Sequence, residues 1–524
     1  MVFRTKGGPC PGLAGGAAVT PTAFSLGLII LLPLLGSLAV AVHILSGEAR
    51  GDAGERATIW FAQGSVLAAL LGLLGLDGLS LAAGVAPGTL LLGTWFESGT
   101  FGFSIAFDAD TKALAFATLI ALVGWATVRF SVPYLHREAG FHRFFMVMGL
   151  FLSGMLTLVL SGNILMAFVG WEFCGISSFL LIAYGYERPA ATGNALFAFV
   201  VNRVGDAGFL LGIALAVWQT GTLSWDQLAH YARSDQVDVV TLEMMLLGFF
   251  LAAFAKSAQL PFSPWIARAL EGPTPSSAIF YGAIMVHAGV WLAIRLEPLL
   301  VQTPGMVLFV GMTGLATTLY GAIAGLVQTD VKSALTFASL TQVGLMFVSC
   351  ALGWSELAAW HMILHGAWRS WQFLNAPSYM HVSGKTPVVP AWLAGRRVLF
   401  TAALQRFWLA RLLRNVITLP VVRLGRDARR FDEEVLAPVV GMPPGGGVPG
   451  FDEAVHAFGL PGTLLAWFAS VCEGVESRLI ARDRGETVMR LLSRLERVAN
   501  GIEDLLEEPR YLILMLIVTL AIIL

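Results

Sequence analysis

Long apolar segments recur along most of the first 380 residues of this 524-residue chain, and short polar joints separate them. Each segment has about the 20 residues that a helix needs to cross the hydrocarbon core of a bilayer. Hydrophobic residues make up 56% of the chain and charged residues only 13%, whereas soluble domains average about 25% charged. The sequence therefore predicts an all-α, polytopic membrane protein with about a dozen spans.

The candidate spans follow one another closely, and no strands are expected because the apolar runs lack the alternation of a membrane barrel. They are Ala23 to Leu45, Trp60 to Ala83, Lys112 to Val132, Phe144 to Leu160, Ile164 to Tyr184, Asn194 to Trp218, Met244 to Gln259, Ser276 to Arg295, Met306 to Val327, Ala334 to Leu352 and Glu356 to Leu374.

The chain divides into five predicted regions: a tail (1–21), N-terminal transmembrane helices (22–100), a core (101–380), an amphipathic and polar region (381–510) and a terminal apolar helix (511–524). Within the fourth, the stretch LQRFWLARLLRNVITLPVVRLGRDARRF alternates arginines with apolar residues. This pattern favours an interfacial amphipathic helix over a span. The terminal helix reaches only about 21 Å, short of a hydrocarbon core of about 30 Å.

The composition excludes several functional classes. A net charge of −1 gives no electrostatic basis for binding nucleic acid. The four cysteines are scattered and form no disulfide framework, zinc motif or iron–sulfur motif, and no nucleotide loop or haem motif is present. We therefore expect no cofactor, metal or catalytic site in this chain, so that any redox or carbon chemistry belongs to other subunits.

Ionisable residues inside the apolar segments are the candidate functional residues. Lys256 lies in LGFFLAAFAKSAQLPFSPW and Glu172 in FVGWEFCGISSFLL. Such residues are costly in lipid and usually mark an ion pathway. Pro261 and Pro264 predict a helix break beside Lys256, whose freed carbonyls can line a cavity. We expect Glu172 and Lys256 to pair and separate during proton transfer; the alternative is a static buried ion pair.

Further candidates surround this pair. Arg203 and Asp206 share a helical face and either form a local ion pair or modulate Lys256. Lys332 stands at a predicted helix end, where a solvated lysine would be unremarkable.

A second group lies nearer the end of the core. His361, His365 and Arg369 are spaced by four along HMILHGAWRSWQF and form one stripe. A proton relay fits this stripe best, with packing or a metal site as alternatives, since HxxxH alone is a weak metal motif. His287 is a lone histidine in YGAIMVHAGVWL, for which a functional and a structural role are equally favoured.

The core resembles the antiporter-like proton-channel subunits of respiratory complex I and the large subunit of Mrp-type antiporters. The resemblance covers about Phe101 to Leu374 and is carried by GNILMAFVGWEFCGISSFLL, ALFAFVVNRVGDAGFLLG, KSAQLPFSPWIARALEGPTPSSA and GLVQTDVKSALTFASLTQVGLMF, with a looser match at HMILHGAWRSWQFL. It implies two inverted five-helix repeats with broken helices and a proton path along the membrane midplane.

The resemblance also assigns residues. Glu172 and Lys256 match the carboxylate–lysine pair of the first half-channel, with Arg203 and Asp206 nearby, and Lys332 matches the central link. His361 and His365 match the relay histidines. Arg369 stands where the family usually has a lysine, and an arginine does not release its proton.

Other departures concern the outward half of the channel. Tyr281 replaces a histidine found in many members, and no match to the later helix with its terminal lysine follows Leu374. We expect a proton-translocating membrane subunit of a complex I-like quinone oxidoreductase. The alternatives are a proton-driven subunit of an inorganic-carbon uptake complex, beside a large soluble zinc-containing subunit, and a structural subunit with a degenerate channel.

The expected partners are the lipid bilayer and other membrane subunits, and the expected location is the inner (plasma) membrane. The most basic connections, Arg129 to Arg143 and Arg396 to Arg430, both belong in the cytoplasm by the positive-inside rule.

Overall fold

A computed structural model describes residues 21–98, 101–234, 238–376 and 389–431, together with a few positions between 436 and 474. Residues 1–20 of the predicted tail (1–21) and the terminal helix at 511–524 lie outside the described residues, as does most of the predicted region 381–510 beyond residue 431.

Long helices dominate the described chain, and ten of them have the length and apolar composition to cross a membrane. The prediction of a polytopic helical membrane protein is therefore confirmed. The helices up to the middle of the core are α1 (Pro21–Leu45), α2 (Gly51–Ala83), α3 (Thr111–Tyr134), α4 (Phe141–Val159), α5 (Ile164–Ile182), α6 (Pro189–Thr220), the short α7 (Trp225–Ala232) and α8 (Val239–Lys256).

The remaining core contains short and long helices in turn. They are α9 (Pro264–Arg268), α10 (Thr274–Ser277), α11 (Ala288–Arg295), α12 (Glu297–Leu300), α13 (Pro304–Gly325), α14 (Val331–Ala351) and α15 (Ser355–Leu374). Helix α15 has the length of a span, but its histidines, arginine and glutamate make it more polar than the other ten.

A β-hairpin contradicts the expectation that the chain contains no strands. Strand β1 (Gly88–Ser98) pairs antiparallel with β2 (Phe101–Ala109), from Gly88 opposite Ala109 to Ser98 opposite Phe101. Its residues are as apolar as those of a helix but are enriched in aromatic residues and threonine, and glycine interrupts them. A hairpin therefore replaces helix between α2 and α3.

Two membrane helices are interrupted in the core. Helix α8 ends at Lys256, and an irregular stretch precedes α9, as Pro261 and Pro264 predicted. The span predicted at Ser276 to Arg295 is likewise not one regular helix, because a π-helical segment (Ala278–Ala283) and a 3₁₀ turn (Met285–His287) separate α10 from α11. The described residues thus contain the broken helix that the resemblance implied; the two inverted repeats remain a prediction.

The helices define two ends of the bundle. The hairpin end contains β1, β2, α7 and the ion pair between Lys112 at the start of α3 and Glu356 at the start of α15. The arginine end contains the helices that follow α15: α16 (Ala391–Ala394), α17 (Arg397–Leu404), α18 (Leu409–Leu413) and α19 (Leu419–Phe431). These last helices are joined by a 3₁₀ turn and a π-helical turn, so the arginine-rich stretch is not the single helix that was expected. Its interfacial placement stays a prediction.

The segment 397–431 is held against the ends of the membrane helices. Arg406 donates to the Gln328 side chain at 2.9 Å and lies 5.3 Å from the Phe337 ring centre. The Phe407 ring packs against Tyr320. Because Gln328 lies between α13 and α14, the arginine-rich segment is at the end of the bundle where α14 begins.

Close packing of α6 on α8 brings the ionisable residues of the core together. A side chain added at Gly248 would lie 2.6 Å from the Gly208 carbonyl oxygen, and one added at Gly208 would lie 2.8 Å from the Gly248 oxygen. Small residues at such a contact let two membrane helices approach closely. Asp206 on α6 and Lys256 on α8 are therefore held on adjacent backbones.

Candidate functional site

Lys256 is fully buried at the point where α8 breaks. Its Nζ donates to the Trp171 carbonyl oxygen at 3.2 Å and lies 4.9 Å from the centre of the Trp171 ring. A carbonyl oxygen and the face of an indole both attract a cation without neutralising it. Lys256 is thus held by groups that stabilise its charge only partly.

Trp171 connects Lys256 to a network of charged side chains. Its indole Nε1 donates to Asp206 Oδ1 at 2.6 Å. The other oxygen of Asp206 lies 2.8 Å from Arg203 Nη2, and Arg203 Nη1 pairs in turn with Glu172. Four side chains from α5 and α6 therefore form one connected chain that ends at Lys256 on α8.

This arrangement differs from the expected Glu172–Lys256 pair. Within the described residues Glu172 pairs with Arg203, and no ion pair of Lys256 is present. Arg203 is the nearer cation because α5 and α6 pack side by side, whereas Lys256 reaches α5 at the preceding residue, Trp171. The expected local pair of Arg203 and Asp206 is present and extends to Glu172.

Gly175 provides the space in which the two cations approach α5. A side chain there would lie 2.6 Å from Arg203 Nη2 and 3.4 Å from Lys256 Nζ. The sequence analysis missed both Gly175 and Trp171. The signal was present in WEFCG, since Gly175 lies one helical turn after Trp171 and Glu172 and therefore on their face.

The outer part of this network is not fully enclosed. The side chains of Arg203 and Glu172 are 31% and 22% exposed, although both lie near the middle of their helices. Asp206, in contrast, is buried. The network thus runs from a buried lysine to a charged pair at the surface of the bundle.

A second cluster joins the two interrupted regions to α15. His287 Nε2 and His365 Nδ1 share a hydrogen bond of 3.0 Å, whose donor depends on the tautomers. Both histidines are buried, and His365 Nε2 has no partner among the described residues. His361 contacts the Gln342 side chain at 2.9 Å and stacks edge to face with His365.

The predicted stripe of His361, His365 and Arg369 thus gains His287 as a fourth member. Sequence reasoning left the role of His287 undecided, and the structure brings it into direct contact with His365. The described part of the chain contains no group of three residues able to hold a metal ion. Two neutral histidines in contact can pass a proton, because each ring has one donor and one acceptor nitrogen.

The two clusters meet at the break in α8. Ser257 Oγ donates to the Val286 carbonyl oxygen at 2.6 Å. Ser257 directly follows Lys256, and Val286 directly precedes His287. The lysine and the histidine therefore belong to neighbouring backbone segments, and both lie where regular helix is interrupted.

Arg369 and Tyr281 are the two departures from the family pattern. Arg369 is buried and donates to Gln372 at 2.8 Å, and it forms no ion pair within the described residues. Tyr281 is fully buried and its hydroxyl has no partner there. Neither residue takes part in the contacts of His287 with His365.

Lys332 lies in a polar chain at the arginine end. Its Nζ donates to Thr274 Oγ1 at 2.6 Å, and this hydroxyl is 3.0 Å from the Tyr134 hydroxyl. The three residues come from α14, α10 and α3. Lys332 is therefore half-buried and anchored in the bundle. The alternative considered from the sequence was a lysine in solvent at a helix end.

A charged cluster at the hairpin end was not predicted. Arg295 at the end of α11 pairs with Asp108 on β2 and lies 2.7 Å from Asp110. Burial raises the pKa of the Asp108 carboxyl, although the charge of Arg295 opposes this. This cluster could not be predicted from the sequence, because the hairpin that positions Asp108 was itself missed.

Two family models match the chain. Residues 161–388 match the model described as NADH:quinone oxidoreductase/Mrp antiporter, TM, and residues 95–145 match that of NADH-ubiquinone oxidoreductase (complex I), chain 5 N-terminus. All the site residues from Glu172 to Arg369 lie within the first match.

Curated relatives agree with these models. NADH-quinone oxidoreductase subunit L of Mycobacterium tuberculosis is 36% identical over 362 residues, which cover 68% of this chain and 55% of the relative. Subunit L of Campylobacter jejuni is 37% identical over 287 residues, covering 55% of this chain and 47% of the relative. The chain thus spans about half the length of the curated relatives that it matches.

Solved structures show the same fold. The Mrp complex from Dietzia sp. contains a chain that matches with a TM-score of 0.58 and 20% identity, covering 96% of this chain and 63% of that one. The membrane-bound sulfane sulfur reductase, an archaeal respiratory complex, also gives a TM-score of 0.58 at 20% identity, covering 74% and 64% of the two chains.

Proposed function

We propose that this chain moves protons across a membrane. The premise is that it belongs, through residues 95–145 and 161–388, to the antiporter-like family of complex I chain 5 and the Mrp antiporters. The observation that carries the proposal is Lys256, a fully buried lysine at a helix break whose described partners are a carbonyl and an aromatic ring. A lysine held in this way is poised to exchange a proton when the charges near it move.

In this proposal, movement of the Arg203 side chain has the largest effect on whether Lys256 holds its proton. In the structure Arg203 pairs with both Glu172 and Asp206. If Arg203 turned away, the two carboxylates would be free to stabilise the charged form of Lys256. Its return would favour the release of the proton. We infer that the proton then passes through water beside Ser257 and Val286 to His287 and His365.

The distribution of charge supports one orientation. The expected basic connections, Arg129 to Arg143 and Arg396 to Arg430, lie at or beyond the end of α3 and beyond α15, at the arginine end of the bundle. The positive-inside rule places that end in the cytoplasm. The polar chain of Tyr134, Thr274 and Lys332 then supplies access from the cytoplasmic side, and the hairpin end faces outward.

A larger assembly explains the exposed charges in the middle of the membrane. A partly exposed Glu172–Arg203 pair facing hydrocarbon would be costly. Another membrane subunit that covers it would supply polar groups or water in place of lipid. The named relatives are subunits of NADH-quinone oxidoreductases, and we infer that this chain is likewise a subunit of a complex I-like assembly in the inner membrane.

One observation favours a second candidate, a structural subunit with a degenerate channel. Arg369 occupies the position of the family's usual lysine and is not expected to release its proton. The direct contact between His287 and His365 favours the conducting chain instead, because it provides a link that bypasses Arg369.

Lys256 variants test the proposal in the intact complex. Proton flux is measured in sealed vesicles under an imposed pH gradient, with a pH-sensitive dye. We expect Lys256→Met to lower flux roughly 100-fold, the scale of a lost acid–base group. Lys256→Arg should lower it as well, because arginine keeps the charge but not the exchangeable proton.

The matched control is Arg137→Met, which removes an exposed cation that pairs with Asp52 at the arginine end. This variant should retain wild-type flux. Each variant is first checked for assembly by recovery of the tagged complex. Wild-type flux in an assembled Lys256→Met complex would refute proton transfer through this chain.

A further inference from the structure

A cavity of about 560 Å³ opens at the hairpin end, between α3, α7, α11, α12 and α15. Its lining contains four carboxylates and two cations; the carboxylates are those of Asp110, Asp226, Glu297 and Glu356. The cations are Lys112 and Arg295, so the cavity is negative overall. A concave acidic site concentrates cations, including hydronium, from the adjacent solution.

Ion pairs join the walls of this cavity. Lys112 on α3 lies 2.7 Å from Glu356 on α15, and Arg295 on α11 lies 2.7 Å from Asp110 before α3. Asp226 and Glu297 form no ion pair within the described residues. The cavity is therefore a space between packed helices in which the carboxylates of Asp226 and Glu297 are available to water.

Two residues of the cavity lining are close in sequence to the histidine pair. Trp291 on α11 and Ile363 on α15 belong to the lining. His287 precedes Trp291 by four residues, about one helical turn further into the membrane. The Trp291 ring packs against Phe116 at 5.8 Å. An apolar layer about one turn thick thus separates the cavity from His287 and His365.

We propose that this cavity is the outer aqueous port of the chain, through which protons pass between the His287–His365 pair and the external solution. Trp291 and Ile363 form the barrier that interrupts the water path. The proposal rests on the proposed function and adds where the pathway leaves the membrane. The Nε2 of the buried His365, which has no hydrogen-bond partner in the described part of the chain, supplies a nitrogen that can exchange a proton with water crossing that barrier.

Cysteine accessibility tests the port independently of proton flux. Ala115→Cys places a thiol in the cavity lining on α3, and Ala113→Cys places one on the same helix at a fully buried position outside the lining. Membrane-impermeant thiosulfonates, one cationic and one anionic, are added to the outer face of intact cells, with the wild-type chain as the baseline.

We expect the thiol at position 115 to react and that at 113 to remain unmodified. The cationic reagent should react roughly tenfold faster than the anionic one, because the cavity is acidic. Absence of reaction at position 115, or equal reaction at 115 and 113, would overturn the proposal.

Flux measurements distinguish the port from the proposed function. Proton flux of the assembled Ala115→Cys complex is compared before and after modification, and we expect the bulky adduct to reduce it at least about fivefold. If modification proceeds and flux is unchanged while Lys256→Met abolishes flux, the port is wrong and the function stands. If flux is unaffected by Lys256→Met, the function itself fails, whatever the accessibility shows.

Discussion

At the scale of single residues, Trp171 contacts the charged network in three different ways. Its carbonyl oxygen, its ring face and its indole N–H each contact a different part of the charged network. The sequence marks this segment by the adjacent Glu172. The contacts of Trp171 itself involve three helices, α5, α6 and α8, and cannot be predicted from its position in the sequence. Trp171 is therefore a positioning residue that links the lysine to Asp206.

Replacing Trp171 with phenylalanine separates these roles. The ring and carbonyl contacts to Lys256 remain, while Asp206 loses its donor. A lost hydrogen bond to a buried charged group costs about 1.5–3 kcal/mol, so we expect lower thermal stability and a proton flux reduced roughly tenfold. Trp218→Phe, at a position 78% exposed, is the control and should change neither. A Trp171→Phe complex with wild-type stability and flux would contradict this role.

A substitution at His287 tests whether the histidine pair conducts protons. His287→Gln retains hydrogen-bonding capacity next to His365 but cannot bind and release a proton. We expect flux to fall between about 10- and 100-fold, in line with the loss of an acid–base group. His142→Gln alters a histidine that bonds to Thr58 at the arginine end, outside the pathway, and should conduct normally. Equal flux in both variants would remove His287 from the pathway.

At the scale of secondary structure, the contact between Gly208 and Gly248 sets the distance between α6 and α8. The position of Lys256 on α8 beside Trp171 depends on that distance, because Asp206 on α6 binds the same tryptophan. Glycine at both positions lets the two backbones approach closely.

Gly248→Leu is expected to force the helices apart. Overpacking of this kind costs about 1–3 kcal/mol, and displacement of Lys256 from Trp171 should lower flux as well. The measurements are thermal unfolding and flux of the purified complex. Gly64→Leu serves as the matched control, because nothing lies within 4 Å of a side chain added there. The packing argument fails if the two variants are equally stable.

The sequence predicted helices better than their interruptions. The spans Ala23 to Leu45 and Ile164 to Tyr184 agree closely with α1 and α5, since apolar length alone determines them. The hairpin was missed because its two strands are largely apolar and show no strict alternation of polar and apolar residues. The π-helical and 3₁₀ turns before α11 were missed because neither residue type nor spacing marks them.

The residues of the site could be predicted from the sequence, but which of them pair with one another could not. Lys256, Glu172, Arg203 and Asp206 stood out as charges in apolar segments, and prolines indicated the break. Their partners depend on side-chain directions across three helices, which the pattern does not contain. His287 meets His365 only because the irregular turns before α11 change the rotation of the helix.

At the scale of the whole molecule, the two ends differ in charge. The hairpin end contains the acidic cavity, and the arginine end contains the segment 397–431. By the positive-inside rule we expect this asymmetry to set the direction in which the chain inserts, with the proposed outer port and the polar chain at Lys332 on opposite faces.

Single cysteines in exposed connections check the orientation. Gln302 lies between α12 and α13 at the hairpin end, and Glu187 lies between α5 and α6 at the arginine end. An impermeant thiol reagent should label Gln302→Cys in intact cells and Glu187→Cys only after permeabilisation. The reverse pattern would invert the assignment and place the acidic cavity in the cytoplasm.

The partly exposed Glu172–Arg203 pair has a consequence for the life of the protein in the cell. A copy without a neighbouring subunit would present this charged pair to lipid, which is costly and destabilises the chain. Surplus chains would then be short-lived, and their half-life would lengthen as the neighbour becomes abundant. The two side chains that we propose tune Lys256 would in this way keep the subunits of the assembly in fixed proportion.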